Sequence, residues 1–172
     1  MKNLLSFLVA VIFFSTSFSQ KKAFTIADLY KIKNVGSPVV SNNGELIAFT
    51  VTDYDFPKGS SNSEIYVMKS DGTDIRNITL NDKQDYNPVW QISDKGIYFV
   101  STRSGIPELF YYSLEDNKTI QITFISTGID APVISPDGDL VAFSTDVYPN
   151  CGDNENCNKE IDSASSNGPI QA

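Results

Sequence analysis

The feature that most constrains this chain is a threefold internal repeat. Each copy begins at a proline, passes through a short polar turn and reaches a phenylalanine 11 residues later: Pro38 to Phe49, Pro88 to Phe99 and Pro132 to Phe143. Because this distance is constant, the segments on either side of each turn keep the same register. Self-similarity of this kind is typical of repeated supersecondary units.

A second half-repeat follows the first two copies. Glu64-Ile65-Tyr66-Val67-Met68 corresponds to Glu108-Leu109-Phe110-Tyr111-Tyr112, 44 residues later, and Thr79 corresponds to Thr123 at the same offset. The first copy is six residues longer than the second, and the surplus falls around Asp55-Phe56-Pro57-Lys58-Gly59. This segment is therefore an expected loop insertion.

Each unit has the composition of short β-strands, because β-branched and aromatic runs alternate with Asn-Gly, Asp-Gly or Asp-Asn turns. Four strands in about 40 to 50 residues is the spacing of propeller blades. We therefore predict an all-β chain, a partial β-propeller of about two and a half four-stranded blades that follows a signal peptide and a short helix. A β-sandwich with three similar hairpins is the alternative.

The repeat and the N-terminus together divide the chain into five expected segments. These are a signal peptide at residues 1–19, a lead-in with a short helix at 20–36, a first blade at 37–80, a second blade at 87–124, and an incomplete third blade with a cysteine loop at 131–172. Two and a half blades leave an apolar face and strand edges uncovered. We expect residues 20–172, expressed alone, to be oligomeric, aggregated or partly molten.

The first 19 residues have the pattern of a secretory signal. Lys2 precedes an apolar run from Leu4 to Phe14 that only Ser6 interrupts, and Ser17-Phe18-Ser19 predicts cleavage after Ser19. Retention as an anchor is the alternative, but a span needs roughly 20 apolar residues. After cleavage, Thr25-Ile26-Ala27-Asp28 has the form of a capping box and predicts a short helix to about Ile32. The expected location is secreted, periplasmic or extracellular, with no membrane anchor.

Charge and cysteine content narrow the possible partners and cofactors. Without Lys2 the chain has 12 basic and 21 acidic side chains, so we expect no binding to nucleic acid. The only two cysteines, Cys151 and Cys157, are six residues apart and are expected to form a disulfide in an oxidising compartment; two free thiols are the alternative. Zinc is disfavoured because the chain has no His and no third Cys.

Three other kinds of residue pattern are only weak indications of a function. Acidic residues near the cysteines do not match a calcium-loop spacing, and we expect no cofactor and no metal there; they are Asp146, Asp153, Glu155, Glu160 and Asp162. Asn77-Ile78-Thr79 and Asn117-Lys118-Thr119 fit the glycosylation pattern but fall in or beside predicted strands. Three aromatic residues are expected to pack between blades before they bind any substrate: Trp90, Tyr98 and Phe110.

The motifs also carry a family resemblance. Ser135-Pro136-Asp137-Gly138 with the following Leu140-Val141-Ala142-Phe143 resembles the propeller repeat of TolB-type proteins and of the prolyl oligopeptidase family. Phe24-Thr25-Ile26-Ala27-Asp28-Leu29 resembles the start of secreted bacterial dipeptidyl peptidases and acylaminoacyl peptidases. Asp146-Val147-Tyr148-Pro149-Asn150-Cys151, followed by Cys157, resembles a loop of the type-five dipeptidyl peptidase branch.

This resemblance implies the N-terminal propeller of a secreted serine peptidase, in which the propeller lies over an α/β-hydrolase domain and limits entry to small peptides. Peptide substrates would then bind through a hydrolase domain that these residues do not include. The chain has neither a G-x-S-x-G nucleophile elbow nor a His, so we assign no catalytic residue and expect these 172 residues to be inactive alone. The alternative is a non-enzymatic TolB-like periplasmic propeller that binds protein partners.

Overall fold

A computed structural model describes residues 22–166 of the chain. The signal peptide predicted over residues 1–19 lies outside the described residues. Within 22–166 the chain forms three antiparallel sheets with a short helix before them and a longer helix after them.

The elements are as follows, in chain order. Helix α1 spans Ile26–Leu29, and the first sheet contains β1 (Asn34–Val40), β2 (Leu46–Asp55), β3 (Ser60–Lys69) and β4 (Arg76–Asn77). The second sheet contains β5 (Asp85–Trp90), β6 (Gly96–Ser101), β7 (Glu108–Ser113) and β8 (Thr119–Gln121). The third contains β9 (Asp130–Ile134) and β10 (Val141–Ser144), and helix α2 spans Glu155–Ser166.

The first two sheets are four-stranded meanders whose spatial order follows the chain order. Their hairpins pair in equivalent registers, with Phe49 opposite Tyr66 in the first sheet and Phe99 opposite Phe110 in the second. The third sheet has one hairpin, β9 with β10. The prediction of an all-β partial propeller is confirmed, and the insertion after Phe49 forms the tip of an extended hairpin.

The repeated proline coincides with an irregularity at the start of each unit. In β1 and β5 the register shifts between Gly36 and Val39 and between Tyr86 and Val89. The residue before each repeat proline has a left-handed backbone: Ser37 (φ 49°), Asn87 (φ 53°) and Ala131 (φ 47°). Proline donates no backbone hydrogen bond, so it is tolerated in a strand where a bulge has already interrupted the ladder.

The main core lies in the seam between the first two sheets. It is formed by Ala48, Ile65, Val67, Ile78, Trp90, Ile97, Phe99, Phe110 and Tyr112. The indole Nε1 of Trp90 donates to the carbonyl oxygen of Val39 at 3.0 Å, which ties the second sheet to β1, an edge strand of the first. Trp90 and Phe110 therefore pack between blades as expected, whereas Tyr98 is only half-buried and contacts the ring of Tyr111.

The segment after β10 contains a helix that the sequence pattern does not predict. Helix α2 follows a turn that contains Cys151, and Cys157 lies in the first turn of the helix itself. Asn154 caps this first turn, since its Oδ1 accepts from the amide of Cys157 at 3.1 Å. The low apolar content of the segment hid this helix, because no stripe of hydrophobic residues marks its inner face. In residues 22–166 no helix is long and apolar enough to cross a membrane.

Candidate functional surface on the loop side of the blades

Because each sheet is a meander, the connections between its strands lie alternately at its two ends. The connections β1–β2, β3–β4, β5–β6, β7–β8 and β9–β10 lie on one side, which we call the turn side. The remaining connections, α1 and the segment after β10 lie on the opposite side, which we call the loop side. The loops on this second side vary in length and sequence, so it is the side on which a functional site would be built.

In both complete sheets a buried glutamate carboxylate of the third strand is hydrogen-bonded to a threonine on the loop side. Thr79 Oγ1 donates to Glu64 Oε2 at 2.8 Å and accepts from the amide of Ile65 at 2.9 Å. In the second sheet Thr123 donates to Glu108 and accepts from the amide of Leu109 at 2.9 Å. These Glu–Thr locks explain why both residue types recur at the 44-residue offset.

The free oxygen of each lock organises the next loop. Glu64 Oε1 accepts from the amide of Asn81 at 3.0 Å, and Glu108 Oε1 accepts from the amide of Ile125 at 2.6 Å. The locks are therefore structural elements, since all these donors belong to the fold itself. Directly after them the chain exposes Leu80 and Phe124 on the loop side.

An ion pair that is not repeated in the other units lies at the start of the second sheet. Asp85 is fully buried, and its Oδ2 accepts from Arg103 Nη2 at 2.9 Å and from Asn81 Nδ2 at 2.5 Å. The Arg103 guanidinium also lies 5.3 Å and 5.0 Å from the ring centroids of Phe99 and Phe110. Val35 and Ile129 occupy the equivalents of Asp85, so no repeat signal marked this pair in the sequence.

The cysteine loop is ordered by two devices. Cys151 and Cys157 form a disulfide with a Cα–Cα distance of 5.5 Å. Asn158 is buried; its Oδ1 accepts from the amide of Tyr148 at 2.9 Å, and its Nδ2 donates to the carbonyls of Gly152 and Asn154. The sequence indicated the disulfide but not the asparagine, because a buried Asn has no distinctive spacing.

Two of the acidic residues near this loop, Glu155 and Asp162, make separate structural contacts. Glu155 Oε1 accepts from the amide of Ser126 at 2.7 Å, which ties α2 to the β8–β9 loop, and Asp162 accepts from the Tyr148 hydroxyl at 3.4 Å. A groove of about 280 Å³ lies between Thr127, Asp146 and Asp162. Across residues 22–166, no three metal-ligating side chains converge closely enough to hold an ion.

A second feature of the loop side is built from α1 and the extended β2–β3 hairpin. Thr25 and Asp28 form the predicted capping box, and Lys31 Nζ lies 2.7 Å from Asp28 Oδ1. The hydrogen bonds from Lys31 and Thr25 lower the pKa of Asp28 to about 2. Tyr30 packs against Phe56 at the hairpin tip, with ring centroids 4.6 Å apart. The six-residue insertion therefore positions α1.

The structure distinguishes the two glycosylation-like sequences. Asn77 lies at the end of β4, and its Oδ1 accepts from the amides of Thr79 and Leu80, so its side chain belongs to the strand end. Asn117 lies in the exposed β7–β8 turn with a φ of 56°, and its Oδ1 accepts from the Tyr112 hydroxyl at 2.8 Å. Both asparagines thus have structural roles in the blades.

Comparison with known families decides what these sheets are. The model of the TolB beta propeller domain matches residues 16–164, which is most of the chain. The chain belongs to this family. The repeat, the four-stranded sheets and the seam between them are thus those of a TolB-type propeller.

The relatives of this propeller include peptidases and TolB proteins. An uncharacterized peptidase, YuxL of Bacillus subtilis, is 26% identical over 122 residues, which cover 70% of this chain and 19% of YuxL. Dipeptidyl-peptidase 5 of Porphyromonas gingivalis is 25% identical over 67% of this chain and 17% of its own length. A TolB homolog of Chlamydia abortus is 32% identical over 51% of this chain and 21% of its own length.

A solved structure agrees on the fold. The acylaminoacyl peptidase of Pyrococcus horikoshii matches 64% of this chain and 17% of its own with a TM-score of 0.52 at 14% identity. The chain spans about a fifth of the curated relatives it matches. The propeller is therefore similar to the propeller part of prolyl-oligopeptidase-family peptidases.

Proposed function

We propose that this propeller is the leading part of an exported serine peptidase of the prolyl oligopeptidase type, acting on short peptides in the manner of dipeptidyl or acylaminoacyl peptidases. In this role the propeller restricts access to a catalytic α/β-hydrolase domain. The observation that carries the proposal is the disulfide-closed loop after β10. It departs from the repeat on the loop side, and its sequence from Asp146 to Cys151 resembles a loop of the type-five dipeptidyl peptidases.

The chemistry must come from residues other than these 172. Peptide hydrolysis by a serine nucleophile needs a His as general base and a nucleophile at a strand-to-helix turn. The chain contains no His and no G-x-S-x-G sequence. The propeller would therefore contribute the shape of the access route, and the loop side would face the reaction chamber because the chain enters β1 from that side.

A TolB-like binding protein is the second candidate function. The 32% identity to the Chlamydia abortus TolB homolog is higher than the identity to either peptidase. In this role the exposed loops would bind protein partners and no hydrolase domain would be needed.

The coding sequence downstream of Ala172 separates the two candidates. The peptidase proposal expects about 450 further residues with a G-x-S-x-G sequence followed by Asp and then His. The product of the complete reading frame should hydrolyse dipeptidyl chromogenic substrates, and replacing the elbow serine by alanine should abolish this activity. A reading frame that stops after further blades, or a complete product without serine-dependent hydrolysis, would contradict the peptidase and favour the binding protein.

A further inference from the structure

A groove on the loop side lies between the second sheet and helix α2. It has a volume of about 210 Å³, and one wall is largely apolar, with Ile106 from the β6–β7 connection and Phe124 and Ile125 from the segment after β8. Glu155 and Lys159 of α2 contribute to the opposite wall. Pockets for a whole drug-sized ligand begin at roughly 300 Å³, so this groove has room for a single residue of a longer ligand.

Helix α2 turns an exposed aromatic side chain into one wall of this groove. Phe124 is 71% exposed, and its equivalent in the first sheet, Leu80, is 84% exposed. The contact that holds α2 in place, from the amide of Ser126 to Glu155 Oε1 at 2.7 Å, lies two residues after Phe124. Leu80 does not line the groove. The two positions are therefore alike in sequence and exposure, but only Phe124 faces a second wall here.

Lys159 is the charged group of the groove that the fold leaves available. Glu108 uses both carboxylate oxygens, one on the hydroxyl of Thr123 and one on the amide of Ile125, and Glu155 uses one oxygen to attach α2. Lys159 is exposed, and within residues 22–166 no carboxylate lies within 4 Å of its ammonium. The groove is thus apolar on one side, with an ammonium on the other that can bind an anionic group of a ligand.

We propose that this groove binds the C-terminal residue of a short peptide, with the apolar side chain on Phe124 and the carboxylate on Lys159. An aspartate or glutamate side chain has the carboxylate but no apolar group, and an internal leucine has the apolar group but no charge. Within a peptide, an apolar residue at a free C-terminus offers both. Its carboxyl group has a pKa of about 3.5 and is ionised at neutral pH. The inference rests on the proposed function, in which the loop side faces the chamber that holds peptides.

The proposal assigns a task to the segment after β10. The disulfide between Cys151 and Cys157 and the buried Asn158 hold the first turns of α2, and Lys159 is the next residue. The backbone that carries the ammonium is therefore fixed, while the exposed side chain can adapt to its ligand. This contact binds the end of the peptide that is remote from an N-terminal dipeptide, so Lys159 takes no part in bond cleavage.

A binding measurement on the product of the complete reading frame tests the proposal. The elbow serine is replaced by alanine so that peptides stay intact; a product that hydrolyses nothing is titrated unchanged. The probes for titration calorimetry are the peptide Ala-Ala-Ala-Leu, its C-terminal amide, and Ala-Ala-Ala-Ser. We expect the leucine acid to bind about fivefold more tightly than its amide, because the amide cannot form the ion pair. It should bind about tenfold more tightly than the serine acid, which buries less apolar surface.

Two substitutions with matched controls locate the contact. Lys159→Gln should lower the affinity for the leucine acid to that of the amide and leave the amide unchanged, whereas a damaged fold would weaken both. Lys69→Gln is its control, since Lys69 is also exposed and also lacks a carboxylate within 4 Å in residues 22–166. Phe124→Ser should weaken the leucine acid about tenfold and the serine acid little. Leu80→Ser, at the equivalent exposed position, should change neither.

Three results would overturn the inference. They are equal binding of the acid and the amide, a preference for the acid that survives Lys159→Gln, and a loss with Leu80→Ser as large as that with Phe124→Ser. None of them bears on the peptidase proposal, which depends on the reading frame and on serine-dependent hydrolysis. Conversely, binding that depends on Lys159 in a complete product without such hydrolysis would contradict the peptidase and support the groove as a peptide site.

Discussion

In the first two sheets a buried Glu–Thr lock holds the outer strand, and both sheets share one apolar seam. The third sheet starts with the same hairpin but is followed by a disulfide loop and α2, whose anchor is the buried Asn158. Units that begin with the same sequence repeat are therefore stabilised in different ways. The first two depend on apolar packing and buried carboxylates, and the third depends on local polar contacts and a covalent link.

The comparison predicts that damage to the seam spreads through both complete sheets. Phe99→Ala should lower the free energy of unfolding by about 3 to 5 kcal/mol, because Phe99 is fully buried and its removal leaves a cavity. The measurement is urea unfolding followed by the fluorescence of Trp90, the only tryptophan of the chain, which lies in the same seam. Phe124→Ala is the matched control, because Phe124 is exposed on the loop side. Equal effects of the two changes would show that the seam does not form as described.

The locks should be the next most sensitive feature. Glu108→Ala should cost about 2 to 3 kcal/mol, since it leaves the Thr123 hydroxyl and the amide of Ile125 without their acceptor in a buried site. The same Trp90 unfolding curve reports the change, and Glu115→Ala, which removes an exposed carboxylate in the β7–β8 turn, should shift it little. The idea fails if Glu108→Ala and Glu115→Ala have the same midpoint.

Damage to the third region should remain local. Asn158→Ala should destabilise residues 146–166 by about 2 kcal/mol, because the amide of Tyr148 and the carbonyl of Gly152 lose their side-chain partner. Hydrogen exchange of this segment should become faster, while the Trp90 transition stays unchanged. Asn156→Ala, at an exposed position of the same helix, serves as the control. A shifted Trp90 transition would mean that the third region shares the seam's cooperativity.

The smallest effect should come from a contact on the turn side, between the β1–β2 turn and the β5–β6 turn. Partial desolvation raises the pKa of Asp94, but hydrogen bonds from the amides of Asn42 and Asn43 and from the Asn42 side chain outweigh it and hold the pKa below 3.8. A depressed folded-state pKa contributes stability above the unfolded value, and this contribution is lost as the pH falls through the folded value. Asp94→Asn should therefore make the free energy of unfolding depend less steeply on pH below about pH 4. Urea unfolding at a series of acidic pH values measures this dependence, and an unchanged slope would exclude a role for Asp94.

The helix α1 and the four-stranded units were predictable because their signals are local. The Thr25 and Asp28 pair marks a capping box over four residues, and the constant proline-to-phenylalanine distance sets a hairpin register. The helix α2 escaped prediction because it is held by the cap at Asn154 and by Asn158, and not by an apolar stripe. The Asp85–Arg103 pair also escaped, because its members are 18 residues apart and occur in one unit only.

The sequence alone determined the architecture, the insertion and the pairing of the two cysteines, because repeat spacing, turn residues and cysteine count act over short stretches of chain. The tertiary structure decided which residues meet. It buried Glu64 and Glu108 beside their threonines, gathered the seam around Phe99, and set Tyr30 against Phe56 at the tip of the β2–β3 hairpin. Such contacts join residues far apart in the chain, and only the packing of whole sheets brings them within reach of each other.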